Sequence, residues 1–235
     1  MNLVDLRYSN SVYIYRAICK QKMTVDEIAK ATDMTPLTVN KILKSLIKSN
    51  IVSKSAEISH NKRFGRPNIY YEPSSCYYTA LILHENNKML LYYVSANGKI
   101  KQDKKSVGKV EKGTQTVMAN VISNRIDKEN PFYLGTYLVS DDIESFDEVK
   151  NTRYLQISEL IAVTYSDEEK VVFIEHDDGK VLINHSKAKD VELSSCELEK
   201  VIDIDECYDL RGKSRTDIIF DGVKVITKKL TERKI

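Results

Sequence analysis

Short polar side chains and lysines recur at helical spacing between residues 35 and 48. The set is Thr35, Pro36, Thr38, Asn40, Lys41, Lys44 and Lys48. Hydroxyl and amide groups exchange hydrogen bonds with other heteroatoms, and ammonium groups neutralise anions. A second basic group consists of Lys62, Arg63 and Arg66, around Gly65 and Pro67. Together these residue types predict the binding of a polyanion rather than bond-breaking chemistry.

Residues that could hold a metal or catalyse a reaction are scattered along the chain. The four cysteines, Cys19, Cys76, Cys196 and Cys207, form no CxxC pair and no Cys/His cluster. A structural zinc site is therefore not expected. The sequence also contains no Ser/His/Asp motif and no Walker-type phosphate loop. We expect no metal, no cofactor and no enzymatic activity.

Three helices are predicted to position the first set. The first covers about residues 10–20. Thr24 precedes Glu27 by three residues, which is the spacing of a capping box, and begins a second helix that ends at about Ala31. Thr35 is the predicted N-cap of the third helix, with Pro36 in its first turn and an end at about Ser49. Apolar residues on the inner side of this third helix are Val39, Ile42, Leu43, Leu46 and Ile47.

A basic hairpin is predicted to follow the third helix directly. Residues 51–54 and 68–72 have the composition of two antiparallel strands, and residues 60–67 form the tip between them. Two helices joined by a short turn, followed by such a hairpin, make a winged helix-turn-helix. This fold class binds double-stranded DNA with the third helix in the major groove.

The expected DNA contacts follow from this placement. We expect Thr35, Thr38 and Asn40 or Lys41 to lie nearest to the bases, and Lys44 and Lys48 to contact phosphates. The wing residues Lys62, Arg63 and Arg66 would enter an adjacent minor groove.

Charge is unevenly distributed and predicts two domains. Residues 1–73 contain twelve Lys or Arg and six Asp or Glu, a net charge of +6, whereas the remainder has a net charge of −4. A basic module joined to an acidic one suggests that only the first meets a polyanion. We place a DNA-binding domain at residues 1–75 and a second domain at residues 76–235.

The second domain is predicted to begin with three antiparallel strands, at residues 77–83, 88–95 and 99–107. A helix over residues 114–127, with Val117, Val121, Ile122 and Ile126 as apolar positions, and a strand over 132–139 follow. Residues 159–163, 171–176 and 180–184 are weaker strand candidates. The basic end, residues 228–234, is expected to be a frayed, solvated terminus.

The first domain resembles the DNA-binding end of the ROK family (repressors, open reading frames and sugar kinases). The resemblance lies in residues 23–29, 34–39 and 50–52, in Leu46, and above all in the Gly65-Arg66-Pro67 of the wing. It implies that the second domain is an actin-like, ribonuclease H-like α/β fold, because the family's repressors continue into a sugar-kinase fold. The overall class expected is therefore α+β, a winged helix-turn-helix followed by a reduced actin-like domain.

Several family features are absent from the second domain. Residues 83–87 contain no glycine of a phosphate loop, the catalytic Asn-Asp pair has no counterpart, and the zinc-binding His and Cys cluster is missing. We therefore expect a transcription regulator, most simply a repressor. The alternatives are a sugar kinase-related enzyme or ligand-binding protein with an appended winged helix, and a protein-interaction adaptor.

The expected partners are double-stranded DNA, a second copy of the chain and a small sugar-like effector. One short helix in one groove gives little specificity, so a homodimer with two half-sites is expected. The sequence has no apolar run of membrane-spanning length and no signal-peptide pattern, which favours a cytoplasmic protein without membrane contact.

Overall fold

The computed structural model describes residues 3–57, 68–111, 113–140, 146–155, 160, 172–176, 179–183, 201–203 and 214–235. Its helices are α1 (Leu3–Lys20), α2 (Val25–Thr32), α3 (Pro36–Lys48), α4 (Gln115–Ser123) and α5 (Arg215–Glu232). Its strands are β1 (Val52–Glu57), β2 (Asn68–Pro73), β3 (Tyr78–Glu85), β4 (Lys88–Ser95), β5 (Ile100–Lys109), β6 (Tyr133–Val139), β7 (Thr152–Leu155), β8 (Val172–His176), β9 (Gly179–Ile183) and β10 (Val201–Asp203). We call the part built from α1–α3, β1 and β2 the head, and the remainder the body.

Side-chain caps determine where α2 and α3 begin. The Thr24 N–H donates to the Glu27 carboxylate at 2.7 Å, and the Glu27 N–H donates to the Thr24 hydroxyl at 3.4 Å, which is the predicted capping box. The hydrogen bond from the Thr24 backbone favours the ionised carboxylate and lowers the pKa of Glu27. Thr35 caps α3, and Pro36 occupies its first turn. The predicted starts of both helices are confirmed.

The first helix is longer than the sequence predicted. α1 begins at Leu3 rather than near Asn10. Leu6 and Tyr8 in the added turns are exposed, whereas the core contacts of α1 begin near Val12. The prediction followed the core-facing residues, so it missed the turns that extend past the core.

The main sheet of the body has the strand order β5-β4-β3-β6-β7. β3, β4 and β5 pair antiparallel, and β6 and β7 then add parallel strands on the other side of β3. The β3–β4 turn is made by Asn86 and Asn87, with φ of 51° and 57°, which is a left-handed conformation that asparagine tolerates. The predicted order of three strands, a helix and a fourth strand is therefore observed.

Helices cover the main sheet on both faces. Successive residues of a strand project to opposite faces. Ala80 and Ile82 of β3 pack in one cluster with Ile122 of α4. Leu81 and Leu83 pack in another cluster with Ile219 and Val223 of α5. The body is thus a mixed α and β layered structure with the sheet in its centre.

The predicted inner face of α4 was partly wrong. Val117 and Val121 are exposed, to 65% and 43%, and α4 ends at Ser123 rather than at Asp127. Four buried positions are Gln115, Ala119, Ile122 and, beyond the helix, Ile126, and the last three pack in one cluster with β3. These four recur at spacings of four, three and four residues, so they share one side of a helix, and Val117 and Val121 project from another.

The basic end of the chain is a packed helix, so the prediction of a frayed terminus was wrong. Ser214 and Asp217 form a second capping box at the start of α5. Ile218, Ile219 and Val223 are buried, as are the polar residues Thr227 and Thr231. The hydroxyls of both threonines donate to carbonyls one turn earlier in the helix, which satisfies them without water.

A small second sheet has the order β10-β8-β9. β8 and β9, which match two of the weaker strand candidates, pair antiparallel, and β10 adds in parallel to β8. Of the weaker strand candidate at residues 159–163, the described part of the chain contains only Leu160, which is helical and buried against α5.

Candidate nucleic-acid interface

The two sides of α3 differ in burial and charge. Val39, Ile42, Leu43 and Leu46 are buried in the head. On the opposite side Leu37, Lys41, Lys44 and Lys48 recur at spacings of four, three and four residues, and all four are exposed. The sequence of α3 contains no acidic residue. The outward side is therefore a positively charged stripe, and we call these four residues the α3 stripe.

Packing within the head fixes the position of α3. The buried face of α3 shares one cluster with Ile14 and Ile18 of α1 and Ile28 of α2. The turn between α2 and α3 is closed by Asp33 in the left-handed conformation, with φ of 54°. Because the inner face is fully used in the core, only the outward side of α3 is accessible to another molecule.

The hairpin is attached to the helices through the backbone. Met23, between α1 and α2, exchanges two hydrogen bonds with Tyr71 of β2, at 3.1 and 2.8 Å. β1 and β2 pair antiparallel from Val52 opposite Pro73 to Glu57 opposite Asn68. The tip residues Lys62, Arg63 and Arg66 lie outside the described residues, so the predicted wing contacts stay predictions.

Most of the polar groups predicted to read bases are occupied within α3 itself. The Thr35 hydroxyl accepts the Thr38 N–H at 3.3 Å, and the two hydroxyl oxygens are 2.9 Å apart. The Asn40 amide donates to the Pro36 carbonyl at 3.0 Å. These groups would exchange a bond within the helix for one with a base. Lys41, by contrast, is exposed on the α3 stripe.

Sequence reasoning missed Leu37. Its side chain is 67% exposed in the first turn of α3, the largest exposed fraction of any large apolar residue in the described part of the chain. An apolar side chain at this place could contact the methyl group of thymine. The signal that would have identified it is its helical spacing to Lys41, Lys44 and Lys48.

Helix α5 connects the body to the head. The Arg16 guanidinium of α1 makes two hydrogen bonds to the Glu232 carboxylate of α5, at 2.6 and 3.0 Å. The Lys228 ammonium donates to the Cys19 carbonyl at 2.9 Å. Burial raises the pKa of the Cys19 thiol to about 11 at this contact, so it remains protonated near neutral pH. Lys228 and Glu232, near the end of the chain, thus hold α1.

No helix in the described part of the chain has the length and apolar character needed to span a bilayer. Among the same residues, no group of three or more His, Cys, Asp or Glu side chains is arranged to hold a metal ion.

No protein-family profile matches the chain, and no curated protein matches it. Among solved structures, the chain is similar to one described as the crystal structure of a ROK family transcriptional regulator, a homologue of the E. coli MLC protein. The sequence identity is 8% and the TM-score is 0.47. The alignment covers 76% of this chain and 55% of the other, so the chain spans about half the length of that regulator. Similarity at this level is too weak to support a functional argument.

Proposed function

We propose that the chain is a sequence-specific transcription regulator that binds double-stranded DNA through a winged helix-turn-helix formed by the head. In this proposal α3 lies in the major groove, and the tip of the β1–β2 hairpin contacts an adjacent minor groove. The observation that supports it best is the α3 stripe, an exposed side of a helix with three lysines and no acidic residue, whose other side is buried. The stripe supports DNA binding independently of the structural similarity described above.

The chemistry of the stripe matches the two kinds of contact that DNA offers. Lysine ammonium groups neutralise phosphates, and each contact releases condensed counterions. Leu37, Thr35 and Asn40 lie at the N-terminal end of α3, which is the end that reaches base edges in helix-turn-helix proteins. Phosphate contacts would orient the helix, and the first turn would select the sequence.

The body would supply the dimer contact, an effector site or both. Its order of three antiparallel strands, a helix and a strand parallel to the first is the order in which an actin-like subdomain begins, which supports a reduced ROK-type body. A dimer places two copies of α3 on two half-sites about one helical turn apart. We accordingly propose that the active species is a homodimer.

Fluorescence anisotropy with a labelled mixed-sequence duplex of about 30 base pairs tests the proposal. We expect the affinity to fall steeply between about 50 and 200 mM NaCl, because phosphate contacts release counterions. The triple variant Lys41→Ala, Lys44→Ala, Lys48→Ala should bind more weakly. Its slope of log affinity against log salt should also be shallower, by about one for each phosphate that the lysines no longer neutralise.

The matched control is Lys99→Ala, Lys101→Ala, Lys104→Ala, which removes three exposed lysines from the β4–β5 turn and from β5. It changes the net charge equally, so it should retain the slope of the unsubstituted protein. Equal loss of binding in both triple variants, or an affinity that does not depend on salt, would contradict the proposal. A selection from randomised duplexes then identifies the preferred half-site.

A further inference from the structure

The start of β6 borders a cleft at the edge of the main sheet. The β6–β7 ladder begins at Thr136 opposite Thr152, so it does not include β6 residues 133–135. Beside this stretch lies a cleft of about 560 Å³, between the residues that follow α4, the first residues of β7 and the end of α5. We call it the β6 cleft.

The backbone of β6 departs from regular strand geometry at this cleft. One extra residue lies in β6 between the pairs Tyr78–Tyr133 and Ala80–Thr136, which is a β-bulge. Gly135 lies in the bulge with φ of 152°, a conformation that side chains disfavour. Bulges are over-represented at sheet edges and next to active sites, where they re-aim a side chain or end strand pairing.

The β6 cleft combines cations with hydroxyl groups. Two basic residues, Lys128 and Arg153, line the cleft together with one acidic residue, Glu148. The Lys128 ammonium is held by a 3.0 Å hydrogen bond to the Ser123 hydroxyl. Tyr137 is buried, which raises the pKa of its phenol, while neighbouring Arg153 acts in the opposite direction. Thr136 and Thr152 also line the cleft; the Thr136 hydroxyl is 2.6 Å from the Tyr133 hydroxyl, and the Thr152 hydroxyl donates to the Lys150 carbonyl at 3.4 Å. A guanidinium matches the geometry of an oxyanion, and an ammonium adds a point charge.

We propose that the β6 cleft binds a small organic oxyanion, a phosphate or carboxylate on a hydroxylated carbon skeleton, with Arg153 and Lys128 holding the charged group. The volume accommodates a metabolite of a few carbon atoms together with its charged group. The Thr152 hydroxyl, whose oxygen can also accept a hydrogen bond, provides a partner for the skeleton.

The β6 cleft is connected to the head through two elements. Leu134 of β6 lines the cleft and, with its neighbour Phe132, packs against the hydrophobic cluster of the head. Leu230 of α5 also lines the cleft, two residues before Glu232, which pairs with Arg16 of α1. A ligand here contacts both elements that hold the head, so its binding changes the affinity of the head for DNA. This regulatory consequence rests on the proposed function, whereas anion binding itself does not.

The test measures binding of three related probes to the full chain by amide chemical shifts. The probes are glycerol 3-phosphate, glycerate and glycerol, which share a hydroxylated skeleton and differ in the charged group. We expect saturable binding of at least one anion, with shifts at Gly135 and Thr152, and no binding of glycerol. Binding of the phosphate alone or of the carboxylate alone would each support the proposal and identify the charged group.

Variants test whether the β6 cleft is the site. The double variant Arg153→Ala, Lys128→Ala should weaken anion binding by about tenfold or more, because it removes charge-assisted hydrogen bonds. Lys101→Ala, Lys104→Ala should bind as the unsubstituted protein does, and Arg153→Lys should retain part of the affinity because it keeps the charge. The proposal is overturned if neither anion binds, or if the double variant binds as well as the unsubstituted protein while retaining its melting temperature.

The same samples separate this proposal from the proposed function. If the protein binds DNA but neither anion, the proposal of anion binding in the β6 cleft is overturned and the proposal of DNA binding by the head stands. If it binds an anion but not DNA, only the proposal of DNA binding is overturned. If the anion saturates the protein and the DNA affinity stays the same, the regulatory consequence is wrong and the binding site stands.

Discussion

Helices α3 and α5 are both amphipathic and both contain several basic residues, yet the basic side chains of the two helices differ in their contacts. On α5, Lys228 donates to the Cys19 carbonyl, Lys224 is 3.0 Å from Asp221, and Arg215 is 3.6 Å from Glu85. On α3, the structure shows no hydrogen bond or ion pair from the side chains of Lys41, Lys44 or Lys48 to any described residue. Basic composition therefore does not by itself identify a polyanion-binding helix. The distinguishing feature is whether the charges are already paired inside the fold.

The largest expected effect tests whether α5 is a structural helix. A Cβ on Gly222 would lie 2.9 Å from the Leu160 carbonyl oxygen. Gly222→Ala should destabilise the protein, because overpacking costs about 1–3 kcal/mol and exceeds the gain in helix propensity of up to about 1 kcal/mol. Chemical denaturation measures the loss. Ser45→Ala, on the exposed side of α3, is the control and should change stability by less than about 0.5 kcal/mol. If Gly222→Ala left the stability unchanged, α5 would not pack against Leu160 as described.

The next effect concerns the α3 stripe. Leu37→Ala should lower the affinity for the selected duplex by about fivefold to tenfold and relax the preference at one base position, because it would remove the proposed apolar contact to a thymine methyl. The melting temperature should stay the same, since Leu37 is exposed. Anisotropy with duplexes that differ at single positions provides the measurement. Uniform weakening across all sequences would argue against a base contact.

A smaller effect is expected at the contact between α1 of the head and α5 of the body. Arg16 and Glu232 form a two-pronged ion pair whose side chains are 61% and 21% exposed. Solvent screening limits such a pair, so a double-mutant cycle of Arg16→Ala and Glu232→Ala should give a coupling of about 0.5 kcal/mol in unfolding free energy. High salt should reduce it. A coupling near zero would show that apolar contacts alone attach α5 to α1.

The smallest effect concerns the capping box of α2. The folded-state pKa of Glu27 is lowered, so its contribution to stability is present above the unfolded pKa of about 4.3 and is lost as the pH falls through the folded value. The difference in melting temperature between the unsubstituted protein and Glu27→Gln should therefore be largest near neutral pH and shrink in acid. A difference that does not change with pH would mean that the charge of Glu27 does not support the cap.

Much of the head could be predicted because its signals are local. Thr24 with Glu27, and Thr35 with Pro36, begin helices through bonds that span three residues or fewer. The wing contacts and the roles of individual α3 residues stay predictions. Leu37 was missed because nothing in its type distinguishes an exposed leucine from a buried one.

The body was less predictable at helix positions where polar side chains are buried or apolar side chains are exposed. Buried Thr227 and Thr231 made α5 look polar, and its lysines suggested a solvated end. Val117 and Val121 were assigned to the core of α4 because they are apolar, yet they face away from the sheet. In each case the side of the helix that is buried depends on a strand far away in the sequence.

The sequence by itself determined the caps, the turns, the basic side of α3 and the succession of three strands, a helix and a fourth strand along the chain, because these depend on neighbours within a few residues. The position of β6 beside β3, and the addition of β7, depend on pairing between distant segments. Only the tertiary structure decided that the basic end of the chain forms a packed helix. The Thr79 and Thr227 hydroxyls meet at 2.7 Å across 148 residues of chain, and Arg16 meets Glu232 across 216. The free energy that makes α5 a packed helix comes from such distant contacts, which no local pattern of residues contains.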